Sequence, residues 1–420
     1  MAKLQPPRGT RDLFGPTLAS MRHVQHLATA KAKSYGFEEI ETPVFESMAV
    51  FERPLGETSD VVSKEMYSFD TKEGGELYGL RPENTASVIR AFLSNGLQQQ
   101  LPARFFYAGP MFRHERPQAG RYRQFYQFGV ELLGATSAYA DVDVIALGYD
   151  ILCGLGLENN IVLSLNTLGD TQSRTAYRSA LVDYFSVHKG KLSEDSLKRL
   201  NKNPLRILDS KDAGDRELVK DAPLFDDFLN QASKTFFAEV CAGLDEIGVP
   251  WHRDQAMVRG LDYYCHTTFE FITQDLGAQG TVLAGGRYDG LVQLMGGPDT
   301  PGVGFASGID RLSLLLGEVE TARRTVSVVP VGDEAQPACR KLAHQLRGQG
   351  FEIDLGYEGN VGKRMKRANK LGALASLLIG DEELAAGSVQ LKDLSTGNQE
   401  TVAMDQVAAR LQQILTSAEG

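Results

Sequence analysis

A strand-like segment at 124–132 carries side chains that could do chemistry. Successive side chains of a strand point to opposite faces, so Gln127 and Glu131 share one face with Phe125 and Gly129. The other face is uniformly apolar, and we expect it to be buried. An amide and a carboxylate beside a glycine are poor core material, so this face is interpreted as a polar pocket floor. An ordinary solvent-facing sheet surface would also explain the strand taken alone.

A second strand-like run, 105–113, precedes it across a polar loop, which predicts an antiparallel hairpin. Arg113 and Glu115 share a face at the end of this run, and the loop contains Gln118 and Arg121. Charged side chains on both strands, beside an arginine-rich loop, favour a site over a plain sheet surface.

Glu83 and Thr85 form a second candidate, because a carboxylate and a hydroxyl behind Pro82 could bind an ammonium group. A helix start would explain the same pattern, since a carboxylate is favourable in the first turn of a helix. The spacing leaves both interpretations open.

Two glycine-containing stretches lie further along. The first contains Arg259, Tyr263 and Tyr264. The second contains Tyr288, which follows a Gly-Gly step that allows another group to approach the backbone closely. Neither matches a P-loop or a dinucleotide-binding fingerprint. Without further information, both stretches would be interpreted as glycine-rich turns.

The segment 302–312 runs from a strand into a helix. Ser307 and Asp310 have the spacing of a helix capping box. Arg311 opposes the helix dipole, which suggests an anionic partner, although a surface ion pair would also explain it.

A basic stripe near the C-terminus comprises Lys363, Lys366, Arg367 and Lys370, which lie on one side of a predicted helix. Such runs are usually solvated faces. In a chain of net charge −10, an uninterrupted basic stripe is a better candidate than usual for contact with phosphates.

The surrounding elements divide the 420 residues into two parts. An amphipathic helix at 17–35 and a strand at 37–43 open the first part, and a helical, polar insertion covers approximately 170–254. Strands and helices alternate from 326 onward, which predicts a small α/β domain with a largely parallel sheet. We therefore expect an α+β core at 1–325 and an α/β domain at 326–420.

The composition is ordinary for a globular enzyme, with 42% hydrophobic and 23% charged residues. No run approaches the ~18 apolar residues of a membrane helix, and the N-terminus lacks a signal-peptide core. Four scattered cysteines favour reduced thiols over a disulfide or metal site. These features indicate a cytoplasmic protein without a membrane partner.

In this order, the segments resemble class II aminoacyl-tRNA synthetases, and among them the bacterial histidyl-tRNA synthetase family. Segments 36–43, 112–131 and 302–312 are similar to motifs 1, 2 and 3 of the class. Segments 259–264 and 285–289 resemble the two stretches peculiar to the histidine enzymes. The resemblance implies a catalytic core built on an antiparallel sheet, a C-terminal anticodon-binding domain, a homodimer and no DNA partner.

The resemblance also implies a reaction, in which ATP with Mg²⁺ activates L-histidine as an adenylate that is transferred to the 3′ end of tRNA(His). The histidine-binding residues would be Glu83, Thr85, Gln127, Glu131, Tyr263, Tyr264 and Tyr288. The ATP-binding residues would be Arg113, Glu115, Arg121, Phe125 and Arg311, with Arg113 and Arg259 stabilising charge at the α-phosphate. The tRNA-binding residues would be Gln118, Lys363, Lys366, Arg367 and Lys370.

Asp310 is the implied metal ligand, but it departs from the family, whose third motif usually reads Glu-Arg. The shorter aspartate argues against direct contact with the metal.

Three alternatives compete with this interpretation. An inert paralogue, the histidine-sensing regulatory subunit of ATP phosphoribosyltransferase, typically lacks the anticodon domain and parts of the histidine-specific stretches. This chain carries both. A degenerate RNA-binding module is disfavoured by the retained Arg113, Arg259 and Arg311. Sister enzymes of the class are disfavoured only by the two histidine-specific stretches.

Overall fold

The structure is a computed structural model in which the chain divides into two compact units, Met1–Val319 and Glu320–Gly420. The residues described are 3–56, 59, 61–70, 74–118, 120–208, 210–255, 257, 263–277, 280–318 and 325–419. Within them, no helix is both long enough and apolar enough to cross a membrane.

The secondary structure of the first unit combines ten helices and eleven strands within the described residues. Its α-helices are α1 (Gly15–Ser34), α2 (Ala49–Leu55), α3 (Thr85–Ser94), α4 (Ala138–Gly154), α5 (Thr171–Val187), α6 (Glu194–Lys202), α7 (Ala213–Lys220), α8 (Gln231–Glu246), α9 (Leu291–Leu294) and α10 (Ile309–Leu316). Its strands are β1 (Glu38–Glu39), β2 (Phe45–Ser47), β3 (Ser68–Asp70), β4 (Leu77–Leu80), β5 (Ala103–Phe112), β6 (Gln124–Leu133), β7 (Val162–Thr167), β8 (His252–Arg253), β9 (Cys265–Ile272), β10 (Thr281–Arg287) and β11 (Gly302–Gly308). Other helical turns are Val61–Glu65, Leu97–Gln99, Lys189–Lys191, Pro204–Ile207 and Phe225–Phe228.

An eight-stranded sheet in the order β1-β5-β6-β11-β10-β9-β7-β8 forms the centre of this unit. Its strands are antiparallel except at the two ends, where β1 pairs with β5 and β7 with β8 in parallel. The predicted hairpin is confirmed as β5 and β6, with Gly109 opposite Gln127. The predicted antiparallel core is therefore confirmed.

The apolar face of β6 is buried, as predicted. Phe128, Val130 and Leu132 belong to a core shared with α1, α4 and α10. This burial anchors one face of the strand, so the opposite face is held in a defined position and can carry polar groups. The strand predicted at 37–43 is shorter than expected, because only Glu38–Glu39 pairs with β5.

The segment around 170–254 is helical and contains α5 to α8. It has a small core of its own, which includes Tyr177, Leu181 and Phe185. The strands β2, β4 and β3 form a separate three-stranded antiparallel sheet.

The second unit contains a five-stranded sheet in the order β13-β12-β14-β15-β16. The first three of these strands are parallel and the last two antiparallel, which confirms the predicted α/β character. Its elements are β12 (Thr325–Pro330), α11 (Gln336–Gly348), β13 (Glu352–Leu355), α12 (Val361–Lys370), β14 (Ala375–Ile379), α13 (Asp381–Ala386), β15 (Ser388–Asp393), β16 (Gln399–Ala403) and α14 (Val407–Glu419).

Candidate active site

The carboxylate of Glu131 is buried on the polar face of β6, beside Thr85, Tyr264 and Tyr288, and we call this group of side chains the Glu131 pocket. The Glu131 side chain is 1% exposed. The Thr85 hydroxyl donates a hydrogen bond to Oε1 at 2.7 Å, and the Tyr288 hydroxyl donates to Oε2. A buried carboxylate is tolerated only with such partners. The interpretation of this face as a pocket floor therefore agrees with the geometry, and a solvent-facing sheet surface does not.

Three tyrosine rings line the same pocket. The ring centroids of Tyr263 and Tyr264 are 4.7 Å apart, and Tyr288 lies 5.9 Å from Tyr263 and 6.4 Å from Tyr264. Tyr264 and Tyr288 share one buried cluster. Because Tyr288 also binds Glu131, the described parts of the two histidine-specific stretches meet the hairpin in one buried cluster.

Two glycines of β11 make room for these groups. Gly304 faces Glu131 across the strand pair, and a Cβ there would overlap the carboxylate. A Cβ at Gly302 would overlap the Tyr288 ring. Gly302 and Gly304 thus serve close packing.

A buried ion pair anchors the stretch that carries Tyr288. Arg287 Nε donates to both carboxylate oxygens of Asp141 on α4, at 3.2 and 3.0 Å, and both side chains are almost inaccessible. Arg287 also donates to Asp289 at 3.0 Å. These bonds fix the end of β10, and with it the position of Tyr288.

Burial changes the protonation of the pocket groups. It raises the pKa of Glu131 to about 8, although hydrogen bonds from Tyr288 and Thr85 oppose the shift. Burial, followed by the charge of Glu131, also raises the pKa of Tyr288. Glu131 is therefore mostly protonated at neutral pH, and the Tyr288 phenol stays protonated.

Glu83 marks the start of α3, as the structural alternative proposed. Its carboxylate accepts backbone hydrogen bonds from Thr85 at 2.7 Å and Ala86 at 3.0 Å. A carboxylate has further lone pairs, so capping does not prevent ligand binding. The nearby Gln127 has a buried Oε1 without a hydrogen-bond partner in the described part of the chain. The three groups predicted to bind the ammonium, Glu83, Thr85 and Gln127, thus lie near Glu131.

A cleft adjoins this pocket, with Gln127 on its lining. It contains every residue assigned to ATP by the resemblance: Arg113, Glu115, Arg121, Phe125 and Arg311. Glu115 holds Arg121 at 2.8 Å and lies 3.7 Å from Arg113. Burial and the charges of Arg121 and Arg113 lower the pKa of Arg311. Three guanidinium groups in one cleft favour a polyanionic ligand.

Asp310 holds the N-terminal segment against β6, and we call this pair of contacts the Asp310 clamp. One carboxylate oxygen accepts from Arg11 at 2.7 Å and the other from the backbone N–H of Tyr126 at 2.6 Å. The capping box predicted with Ser307 is wrong, because the Ser307 hydroxyl donates to the Val282 carbonyl instead. The implied metal role has no support from this arrangement and stays a prediction.

The remaining predicted residues lie elsewhere. Arg259 falls outside the described residues. Gln118 forms an isolated bridge with Arg121 in the hairpin loop. The basic stripe is exposed on α12, where Arg367 is paired with Asp354 at 2.9 Å.

Sequence reasoning missed three contributors to the pocket. Tyr107 on β5 is buried in it, and Arg81 donates to the carbonyls of Thr42 and Pro110, fixing the turn before α3. Arg174 on α5 donates to the Tyr264 carbonyl at 2.7 Å, so the insertion contacts the pocket. Only the repeated aromatic residues around Tyr107 could have suggested any of them.

Comparison with known proteins agrees with this arrangement. A family profile described as histidyl-tRNA synthetase matches residues 9–312, and an anticodon binding domain matches 325–414. The histidine–tRNA ligase of Rhodospirillum rubrum is 56% identical, covering 96% of this chain and 97% of that one. The ligase of Gluconacetobacter diazotrophicus is 54% identical over 98% and 99%.

A solved structure adds a direct comparison of folds. Apo histidyl-tRNA synthetase of S. aureus superposes with a TM-score of 0.83 at 34% identity, covering 98% of this chain and 100% of that one. Sequence and fold agree over almost the whole length, and the chain belongs to the histidyl-tRNA synthetase family.

Proposed function

We propose that this chain activates L-histidine with ATP and transfers it from the adenylate to the 3′ end of tRNA(His). The observation that carries the proposal is the adjacency of two sites. The Glu131 pocket offers a carboxylate and phenols, and the neighbouring cleft offers Arg113, Arg121 and Arg311. An imidazole fits the first site and a triphosphate the second. The family's histidine–tRNA ligase activity joins these two ligands in one reaction.

In the amino acid pocket, Glu131 and Tyr264 bind the two imidazole nitrogens while Tyr263 and Tyr288 line the cavity. Glu83, Thr85 and Gln127 bind the α-amino group. Amino acids without ring nitrogens would leave the buried groups of this pocket unpaired, which is costly. Specificity for histidine follows without an editing site.

In the cleft, Arg113 binds the α-phosphate, Arg121 the triphosphate tail, and Phe125 with Arg311 the adenine, while Glu115 contacts the nucleotide. The histidine carboxylate attacks the α-phosphorus and pyrophosphate leaves. A carboxylate is already a nucleophile at neutral pH, so the arginines act by positioning and by charge stabilisation. Arg259 is proposed to share that second role.

Mg²⁺ is proposed to enter with the ATP phosphates. The carboxylates of the cleft do not form a protein-only metal site, because Glu115 pairs with Arg121 and Asp310 with Arg11. Among the described residues, no group of three or more His, Cys, Asp or Glu side chains could hold a metal ion. Mg²⁺ commonly keeps phosphate and water ligands, so such a group is not required.

The tRNA is proposed to contact both units. The exposed Lys363, Lys366 and Lys370 supply charge for the RNA backbone, whereas Arg367 is partly neutralised by Asp354. Gln118 in the hairpin loop is proposed to approach the acceptor end. A cytoplasmic location is proposed because translation uses the product there.

A homodimer is proposed from an exposed apolar patch on the small sheet. Phe45, Phe69 and Leu77 are 48%, 42% and 47% exposed, and the two phenylalanine rings are 5.8 Å apart. Contiguous exposed aromatic surface is typical of an interface. The class II motif 1 segment at 36–43, which directly precedes β2, supports the same surface.

ATP–pyrophosphate exchange with each amino acid in turn tests the function. We expect exchange with histidine and with no other amino acid. Histidine binding without exchange would indicate the regulatory paralogue, and exchange with another amino acid a sister enzyme. The paralogue is not favoured, because the anticodon domain matches over residues 325–414 and full-length relatives are ligases.

A further inference from the structure

Tyr107 is a buried phenol in the Glu131 pocket without a hydrogen bond. Its side chain is 2% exposed, and its hydroxyl has no partner within the part of the chain that the structure describes. An unpaired buried hydroxyl is destabilising, and native proteins rarely keep one without a role. The hydroxyl lies close to Thr85 and Glu131 but forms no hydrogen bond of normal geometry with either, so one can form in another state of the pocket.

The strand register places this hydroxyl beside the ring-binding carboxylate. Tyr107 pairs with Gly129, which lies between Gln127 and Glu131 on the same face of β6. A Cβ at position 129 would overlap the phenol oxygen, so glycine is required there for the ring to cross the strand. The charges of Glu131 and then Glu83 act on the phenol and, after burial itself, raise its pKa.

Glu131 has room for one more donor once histidine is bound. A carboxylate can accept about four hydrogen bonds. Thr85 and Tyr288 supply two of them in the free protein. Under the proposed function, an imidazole N–H supplies the third. A fully buried carboxylate that is charged needs its remaining lone pair satisfied as well.

We propose that Tyr107 is a positioning residue that donates the fourth hydrogen bond to Glu131 when histidine occupies the pocket. Its hydroxyl already stabilises the carboxylate by proximity, although no hydrogen bond of normal geometry is formed. Histidine binding favours the charged carboxylate, and a small rotation of the phenol then completes the set of donors. This inference rests on the proposed function.

The other groups that face Glu131 do not replace this donor. Glu83 ahead of α3 is an acid whose charge opposes ionisation of Glu131, and β11 offers only Gly304. Tyr263 and Tyr264 border the pocket, and Tyr264 is proposed to bind the ring itself. Tyr107 is therefore the hydroxyl on β5 that can respond to the charge of Glu131.

Tyr107→Phe tests the proposal, with Tyr177→Phe as the matched control. Both phenols are buried, but the Tyr177 hydroxyl already donates to the Pro223 carbonyl, in the helical insertion. The measurements are histidine-dependent and ATP-dependent pyrophosphate exchange between pH 6 and 9, and the thermal midpoint.

We expect Tyr107→Phe to lower kcat/KM for histidine about tenfold at pH 7, the loss for one charge-assisted hydrogen bond. The loss should shrink at higher pH, because the Glu131 pKa rises further without this donor. KM for ATP should not rise, and the thermal midpoint should not fall. Tyr177→Phe should lower the midpoint and leave the histidine profile unchanged.

An unchanged histidine profile in Tyr107→Phe would overturn the proposal. So would a parallel fall of the midpoint and of ATP binding, which would indicate a packing role. Absence of histidine-dependent exchange in the wild-type protein would instead refute the proposed function, so the two failures are distinguishable.

Discussion

At the scale of single residues, the pocket depends on the carboxyl group of Glu131, which changes its charge close to neutral pH. Burial raises the pKa of Glu131 to about 8, against hydrogen bonds that favour the charged form. An imidazole N–H binds the charged carboxylate more strongly than the neutral acid. Ligand binding and ionisation of Glu131 are therefore coupled.

This coupling predicts a pH dependence. Since a raised pKa means that the acid form dominates below about pH 8, kcat/KM for histidine should increase from pH 7 to 9. Glu131→Gln removes the titrating group, so it should abolish the increase. It should also reduce kcat/KM by roughly 100-fold, because it weakens two charge-assisted hydrogen bonds, from the imidazole and from Tyr107, at ~1.4 kcal/mol each. Pyrophosphate exchange at saturating ATP measures both effects. An equal increase in wild type and variant would contradict the assignment.

The same shift has a defined sign for stability. Between the unfolded-state pKa near 4.5 and the folded-state value of about 8, the folded protein binds more protons at Glu131 than the unfolded chain. The contribution of this group to stability is therefore fully present below pH 4.5 and decreases as the pH rises toward 8.

The sequence predicts some contacts of the candidate site and not others. Glu131, Tyr264 and Tyr288 are predicted through the family resemblance, and they do converge. The capping bonds of Glu83 follow from local helix rules. The pairing of Arg11 with Asp310 does not, because the two residues are 299 positions apart and no local spacing relates them.

At the scale of elements, that ion pair joins three parts of the core. Asp310 lies in the first turn of α10, accepts a hydrogen bond from the backbone of β6, and pairs with Arg11 of the N-terminal segment. Arg11 also stacks on Tyr122 at 3.9 Å. The clamp thus fixes the wall of the nucleotide cleft.

Arg11→Ala should lower the free energy of unfolding by about 2 kcal/mol, because it leaves the buried Asp310 without its counter-charge. This is below the range for fully buried pairs, since Arg11 is 27% exposed. Arg22→Ala on α1 is the control, because its side chain is exposed and bonds only Gln25 among the described residues. Urea unfolding followed at Trp251, the single tryptophan, reports on the first unit. Equal midpoints for the two variants would contradict the clamp.

The alternation of apolar residues predicts where a strand lies and which face is buried better than it predicts where the strand ends. The apolar alternation of β6 identifies its buried face correctly, because burial of that face dictates the pattern. The strand predicted at 37–43 is too long, because propensity does not show where a partner strand ends.

The basic stripe of α12 gives a prediction at the same scale. Lys366→Glu with Lys370→Glu should raise KM for tRNA and weaken its salt dependence, by about one unit of log–log slope for each phosphate that is no longer neutralised. Arg367 is left unchanged because it pairs with Asp354. Arg340→Glu with Lys341→Glu, on exposed positions of α11, makes the same charge change as a control. Pyrophosphate exchange should be unaffected, and an unchanged KM for tRNA would refute the proposed contact with RNA.

At the scale of the whole molecule, the aromatic patch on the β2-β4-β3 sheet predicts self-association. Phe69→Asp should shift the protein from dimer to monomer in sedimentation experiments, because a charge in an apolar interface is costly. Val187→Asp, also at an exposed apolar position but in the insertion, is the control and should stay dimeric. A monomeric wild type, or a dimeric Phe69→Asp, would contradict the proposed surface.

The single strand β6 has a consequence for how specificity can change. Phe125, Gln127 and Glu131 occupy one face of this strand, and under the proposed roles they contact the adenine, the amino group and the imidazole in that order. The strand between Phe125 and Glu131 is roughly 20 Å long, at ~3.4 Å per residue. A shift of the β6 register by one residue would turn all three side chains to the opposite face of the sheet. Individual side chains on this face can therefore be replaced one at a time, whereas a change of strand register would remove the contacts to ATP and to histidine together.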